Sequence, residues 1–422
     1  MKLQIQPLVA LCDEKINISI SDLAPSSKVK INASMRFPWA KGVLFESFAC
    51  FTADVDGNVD LSKQKPDEGS YDYIDSMGLI VSMRPQKENA INKVGQNISV
   101  DSSIFIDIAA QCDQDKSTVT LERIFKINNI KNLKVSDEFV GELFYTQNTN
   151  NKTILFLGGS GGSLGGNLPA AALLASHGFN VLTVAYFKER GLPATLMKIP
   201  LEYFEGIFKW LSENPITEAK DINIFGVSRG AELSLLLASR YPFIKKVFGI
   251  APHAYCFQGI DYFKKDSSWT YEGKELPYIH WKSRWVMGNL IKCFFRNEPF
   301  GYTYLHKKAL TSANNLEDAR IKIENAQADL RLVTSKECNM WNTYDGSKKI
   351  IETLRQYKYQ HKYDLLVYEN AGEPYPAPYV IPAGLSSVKI APRLVLSMGG
   401  TVEGNARYSS ESWKKAIEFF RE

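Results

Sequence analysis

The stretch that most constrains this chain is Ile222-Asn223-Ile224-Phe225 running into Gly226-Val227-Ser228-Arg229-Gly230 and then Ala231 to Arg240. An apolar, β-like run meets Gly-x-Ser-x-Gly, and a helical pattern follows. That order predicts a strand, a sharp turn and a helix, with Ser228 at the apex. The flanking glycines keep Cβ atoms out of the tight passage between strand and helix. The helix N-terminus then points at the serine, and the Arg229 N–H is placed to meet a developing oxyanion.

A second feature fits the first. The apolar run Ile154–Leu157 enters Gly158-Gly159-Ser160-Gly161-Gly162-Ser163-Leu164-Gly165-Gly166. Glycines here bare backbone N–H groups near the nucleophile, so Ser160 and Gly161 join Arg229 as candidate oxyanion donors. The rival reading is a dinucleotide-binding loop. It fits less well, because the spacing is not a clean GxGxxG and the next strand ends in Ala185-Tyr186-Phe187, without an acidic residue.

The rest of the chain falls into two rhythms. Up to about residue 130 it reads as short alternating strands: Lys15–Ser21, Val29–Met35, Leu44–Ala53, Leu79–Met83, Ile104–Ala109 and Val119–Ile127. Turn clusters such as Asp56-Gly57-Asn58 separate them, and the pattern predicts a β-sandwich. The polar segment Asn128–Lys134 is the expected boundary, giving domains 1–130 and 131–422. Beyond it, strands and helices alternate: Ile154–Leu157, Asn167–His177, Phe179–Tyr186, Ile199–Asn214, Ile222–Phe225 and Lys246–Ala251. This rhythm predicts a parallel sheet covered on both faces. An aromatic-rich insertion near 254–327 interrupts it, with Tyr255, Phe257, Tyr262, Phe263, Trp269 and Trp281 among its members. It reads either as a substrate cover or as a satellite core. The rhythm resumes with Asp329–Thr334, a helix near Lys348–Gln356, Asp364–Tyr368 and a last helix from Ser410 to Phe420.

Composition removes several function classes. Fifty basic residues against 46 acidic ones leave +4, too little and too dispersed to argue for nucleic acid. Six scattered cysteines without a CxxC support neither a zinc site nor a disulfide framework, so no metal and no redox cofactor is expected. No apolar run reaches the ~20 residues of a membrane span. Residues 1–7 lack a signal-peptide pattern and the last residues are no peroxisomal signal, so a cytoplasmic protein with a small-molecule partner is expected.

A serine nucleophile needs a base, and the expected chain order is Ser, acid, His. The histidines are His177, His253, His280, His306 and His361, and none follows Tyr368, where the base belongs. That loop reads Glu369-Asn370-Ala371-Gly372-Glu373-Pro374-Tyr375. The acid's loop reads Ser335-Lys336-Glu337-Cys338-Asn339-Met340-Trp341. His253, after the strand Lys246–Ala251, is a candidate base from elsewhere in the chain.

Over nearly its whole length the chain resembles the acyl-CoA thioesterase / bile acid-CoA:amino acid N-acyltransferase family. The resemblance is carried by Gly69-Ser70-Tyr71, Asp75-Ser76-Met77-Gly78-Leu79, Ile199-Pro200-Leu201-Glu202-Tyr203-Phe204-Glu205, Gly226 to Leu233, Trp269-Thr270-Tyr271-Glu272-Gly273-Lys274 and Trp413-Lys414-Lys415-Ala416. It implies an immunoglobulin-like sandwich before an α/β-hydrolase domain. It also implies a Ser or Cys nucleophile with Asp and His, acting on fatty or bile acyl-CoA. Ser228 matches the thioesterase form. Two triad positions depart from the family pattern. Its Gly-x-Asp-Asp-x-x-Trp keeps Trp341 but has Glu337 and Cys338 at the carboxylates, and its Gly-His has Glu373 at the His. The resulting expectation is a thioesterase or acyltransferase with a Ser228–Glu373 pair and Cys338 and Glu337 beside it. The alternatives are a degenerate acyl- or CoA-ester-binding protein and a carboxylesterase-like hydrolase.

Overall fold

The structure, a computed structural model, describes residues 1–40, 42–86, 98–147, 152–162, 164–261 and 264–422. The first part is an all-β sandwich. Lys2–Gln6, Asn17–Ser21 and Val59–Asp60 form one antiparallel sheet. The other sheet is built on Asp115–Ile124, Ile104–Cys112, Lys28–Met35 and Phe45–Thr52, paired antiparallel in that order. Alternation fixes which side faces in. Along Lys28–Met35 every second side chain is buried, so Val29, Ile31 and Ala33 meet Ile18 and Ile20 of the facing sheet in one core. Leu79–Met83 is not a strand. Gly78–Val81 forms a short, fully buried helix instead. A four-residue apolar run carries no periodicity that separates the two.

The second part holds an eight-stranded sheet. Its strands are β1 (Lys131–Val135), β2 (Gly141–Tyr145), β3 (Thr153–Leu157), β4 (Asn180–Val184), β5 (Ile222–Val227), β6 (Ile244–Ile250), β7 (Asp329–Ser335) and β8 (Tyr363–Tyr368). They lie in the order β1-β2-β4-β3-β5-β6-β7-β8. The β1/β2 and β2/β4 pairs are antiparallel and the rest parallel. Strands β3 and β4 are buried at every position, as parallel strands covered on both faces must be. The covering helices are α1 (Leu168–Ser176), α2 (Glu202–Glu213), α3 (Arg229–Ala238), α4 (Thr343–Gln356) and α5 (Val402–Arg421). This is the α/β-hydrolase architecture behind a β-sandwich. The last sandwich strand ends at Ile124, and β1 begins at Lys131. No helix of the described residues is long and apolar enough to cross a membrane.

Two details tie the parts together and hold the central helix. Asp13, from the sandwich, is buried, and one carboxylate oxygen lies 2.6 Å from His177 Nε2 and accepts from Trp413 Nε1–H at 2.7 Å. It therefore joins the end of α1 to α5. Glycines set how closely α3 approaches the sheet. A Cβ at Gly230 would press into the Leu157 and Gly158 carbonyls, and one at Gly226 would meet Ser234 Oγ and the Gly230 carbonyl.

Two substitutions test these statements. Asp13→Ala strands the buried Trp413 N–H and costs about 2–3 kcal/mol in urea unfolding. Gly230→Ala forces α3 off the sheet and costs about 2–3 kcal/mol in the same measurement. An unchanged midpoint for either would show that the contact is not confining.

Candidate active site

Ser228 sits where β5 ends and α3 begins, with φ 56° and ψ −118°. An L-residue holds that conformation only when its surroundings impose it. Here the Ser228 N–H donates to the Ile250 carbonyl at 2.8 Å, and its own carbonyl accepts from Ala231 N–H at 2.9 Å and Glu232 N–H at 3.1 Å. Strand and helix thus grip the residue from both sides, and every residue of α3 is buried. The side chain opens onto a cavity of about 750 Å³. That size lies within the usual range for small-molecule sites.

The glycine loop lies directly over the serine. A Cβ on Gly159 would stand 3.0 Å from Ser228 Cβ, so only bare backbone passes there. Ser160 and Gly161 are exposed at the cavity, while Ser163 lies outside the described residues. The Arg229, Ser160 and Gly161 N–H groups have no acceptor among the described residues. Ser160 and Gly161 lie in the loop that follows Gly159, beside Ser228. The loop is braced from behind by Tyr186 Oη–H to the Gly158 carbonyl (2.5 Å) and by Lys188 Nζ to the Gly161 carbonyl (3.1 Å).

Glu373 arrives from the loop after β8. Its side chain lines the same cavity as Ser228, whose hydroxyl lies close enough to lower the carboxylate's pKa, and its Oε2 accepts from the Cys338 thiol at 3.6 Å. The residue before Glu373 is pinned twice: Gly372 N–H donates to Asn405 Oδ1 (2.7 Å), and Ser335 Oγ–H to the Gly372 carbonyl (2.6 Å). Burial raises the Glu373 pKa above the ordinary carboxylate value, and the neighbouring Ser228 hydroxyl and Cys338 thiol pull it partly back. Burial, reinforced by the Glu373 charge, also raises the Cys338 thiol, which stays protonated and neutral. Ser228, Glu373 and Cys338 therefore form one connected row. Glu337 does not join it, because its side chain is exposed.

The histidines lie elsewhere. His253 is fully buried, 5.5 Å from the Trp341 ring and 4.7 Å from Phe257. Its Nδ1 accepts from Tyr255 N–H at 3.3 Å, and its Nε2 finds no partner. Burial drives its pKa well down. His306 Nδ1 lies 2.9 Å from the Tyr302 carbonyl, and its pKa falls to about 3, burial being the main cause. No imidazole is hydrogen-bonded to Ser228 among the described residues.

Arg229 does more than its backbone suggested. Its guanidinium donates to Glu232 Oε2 (2.7 Å), to the Phe257 and Gln258 carbonyls (each 3.2 Å) and to Ser268 Oγ, and it lies 5.5 Å from the Trp341 ring. Trp269 Nε1–H completes the set on Glu232 Oε1 at 2.7 Å. The side chain thus locks the first turn of α3 and leaves the backbone N–H free. The insertion supplies those carbonyls, and its aromatics divide between a satellite core around Phe257 and Trp341 and the main sheet core, which takes Trp269, Tyr271 and Tyr278. Tyr262 and Phe263 lie outside the described residues. None of the described insertion residues lines the cavity. Its outer wall comes from Pro378 to Val388 and Met398, near a hairpin of Ser387–Ala391 and Leu394–Ser397. That hairpin is not predicted from the sequence, because Val388 to Leu396 reads as two short apolar runs around Pro392-Arg393 without a clean period-two pattern. Asn405 and Lys188 were also missed, and an isolated polar residue carries no sequence signal for such a role.

Comparison with known proteins places this geometry in a family. Residues 13–137 match the acyl-CoA thioester hydrolase/BAAT N-terminal region. Residues 199–422, over half the chain, match the BAAT / acyl-CoA thioester hydrolase C-terminal region. The mouse bile acid-CoA:amino acid N-acyltransferase is 28% identical over 100% of this chain and 97% of its own. Human acyl-coenzyme A thioesterase 1 is 26% identical over 99% and 95%. Among solved structures, esterase B from Lactobacillus rhamnosis aligns over 70% of this chain and 86% of its own, at 14% identity and a TM-score of 0.41. The chain belongs to the BAAT / acyl-CoA thioester hydrolase family.

Proposed function

We propose that this protein is an acyl-CoA thioesterase or acyltransferase that works through a Ser228 acyl-enzyme with Glu373 as its base. The observation that carries the reading is that Ser228 and Glu373 face each other on the lining of one apolar-walled cavity. Val81, Met340, Ile381, Leu385, Val388 and Met398 supply a wall suited to an acyl chain. Six free cysteines fit a reducing compartment such as the cytoplasm.

The chemistry follows from the contacts. Glu373 takes the hydroxyl proton as Ser228 Oγ attacks the thioester carbonyl. The oxyanion forms against the Arg229 N–H and the bare amides of the glycine loop. Glu373, now a neutral acid, returns the proton to the departing thiolate. It then serves again as base for the incoming water or amine. An ordinary Glu pKa of ~4.3 makes a weak base. The upward shift at Glu373 strengthens it.

The identity of the third residue supports the same reading. A neutral His beside an ionised Asp carries one negative charge. An ionised Glu beside a neutral thiol also carries one. A carboxylate at position 338 would face the Glu373 carboxylate at close range and push one of the two toward the protonated state. Cys338 instead donates to Glu373, which steadies the ionised base. The paired change keeps the charge of the site while moving it from the third residue to the base.

The test is a pH–rate profile on a soluble acyl-CoA. Activity needs ionised Glu373, so it rises with pH through a midpoint above the ordinary Glu value. Glu373→Gln lowers kcat at least about 100-fold. The shift is upward, so the folded state disfavours the ionised form above that midpoint, and Glu373→Gln unfolds no earlier than the parent at neutral pH. Full activity in Glu373→Gln would remove Glu373 from the mechanism.

A further inference from the structure

The insertion carries a surface that the reaction does not use. Its helix Ser283–Arg296 buries Val286 and Cys293 against Phe300 and Leu305. The outward side is not polar. Met287 is 58% exposed, Ile291 50%, Phe294 41% and Phe295 79%. These positions are i, i+4, i+7 and i+8, one continuous stripe along the helix. Tyr304, on the neighbouring helix Thr303–Ser312, is 56% exposed.

The charge around this stripe is one-sided. Between residues 282 and 308 the basic residues are Lys282, Arg284, Lys292, Arg296, Lys307 and Lys308, and the only acidic one is Glu298. Six minus one is +5, while the whole chain carries +4. The net positive charge of the protein is therefore concentrated here. Glu298 reaches Lys292 at 3.6 Å and Arg296 at 3.8 Å, and Asp345 reaches Lys307 at 3.7 Å. All three pairs are exposed and long, so they neutralise little. Lys308 lies 4.9 Å from the Trp285 ring and 5.6 Å from the Tyr304 ring, so cationic heads stand among the aromatics.

We propose that this face docks on the surface of an anionic phospholipid bilayer. An apolar stripe bordered by Lys and Arg is the pattern of a helix lying in the headgroup region, with its apolar side chains in the acyl boundary and its cations on the phosphates. Charge selects this occupant over a second copy of the chain, since two such faces would bring +5 against +5. Position gives the docking a use. The helix shares its buried core with Leu394 and Leu396 of the hairpin, and the opposite strand of that hairpin contributes Val388 to the cavity wall. Docking would set the cavity wall beside the lipid phase. The docking claim does not depend on which reaction Ser228 performs.

The experiment is co-sedimentation of the full chain with vesicles of equal parts phosphatidylcholine and phosphatidylserine, and with phosphatidylcholine alone. Binding is expected on the mixed vesicles, weakening as salt rises, and little on phosphatidylcholine. Ile291→Ser with Phe295→Ser, and separately Lys292→Glu with Arg296→Glu, lower binding about tenfold or more. Both leave the thermal midpoint and the turnover of a water-soluble thioester unchanged. Absent sedimentation, equal binding to both vesicle types, or variants that bind like the parent overturns the proposal. A dimer broken by Ile291→Ser with Phe295→Ser, without vesicle binding, also overturns it and assigns the face to self-association.

Discussion

Everything in the site depends on how tightly the backbone is held at Ser228. Its positive φ costs energy that a free chain would release by relaxing. It persists because β5 is locked between β3 and β6, because α3 is buried at every position, and because Gly226 and Gly230 let the helix lie against the sheet. The same closeness brings the bare Gly159 backbone against Ser228. The strained serine and the bare glycine backbone beside it are thus consequences of one packing solution, and the buried Arg229 side chain fastens it from the insertion.

Around that fixed serine, electrostatics makes Glu373 and Cys338 compatible neighbours under the proposed mechanism. Burial at Glu373 penalises each added charge, and it penalises a second like charge most. If Glu373 is the base proposed above, its neighbour has to be neutral, and a donor is better than an acceptor. Cys338 meets both conditions. Its burial and the nearby Glu373 charge keep the thiol protonated. Glu337, one residue earlier, is exposed and does not join Glu373 and Cys338.

The strand–serine–helix unit and the glycine run were legible in the sequence because local chemistry dictates both: only bare backbone passes such turns. The alternating strands of the sandwich and the buried runs of the sheet were legible for the same reason, since burial imposes a period. Leu79–Met83 was misread as a strand because an apolar run buried all round has no period to read. The meeting of Glu373 with Cys338 depends on β7 and β8 lying side by side, which places two loops together that are 35 residues apart. The bracing by Asn405 and Ser335, and the enclosure of His253 under Trp341, are likewise tertiary facts with no local signature.

The most direct test of the central claim, that one negative charge is shared between positions 373 and 338, is a four-way comparison. The rate of Ser228 labelling by a fluorophosphonate at neutral pH would be measured for the parent, Cys338→Asp, Glu373→His and the double variant. Charge conservation predicts that each single change slows labelling by about tenfold or more and that the double variant recovers most of the loss. Losses that simply add in the double variant, or a Cys338→Asp protein that labels as fast as the parent, would contradict it.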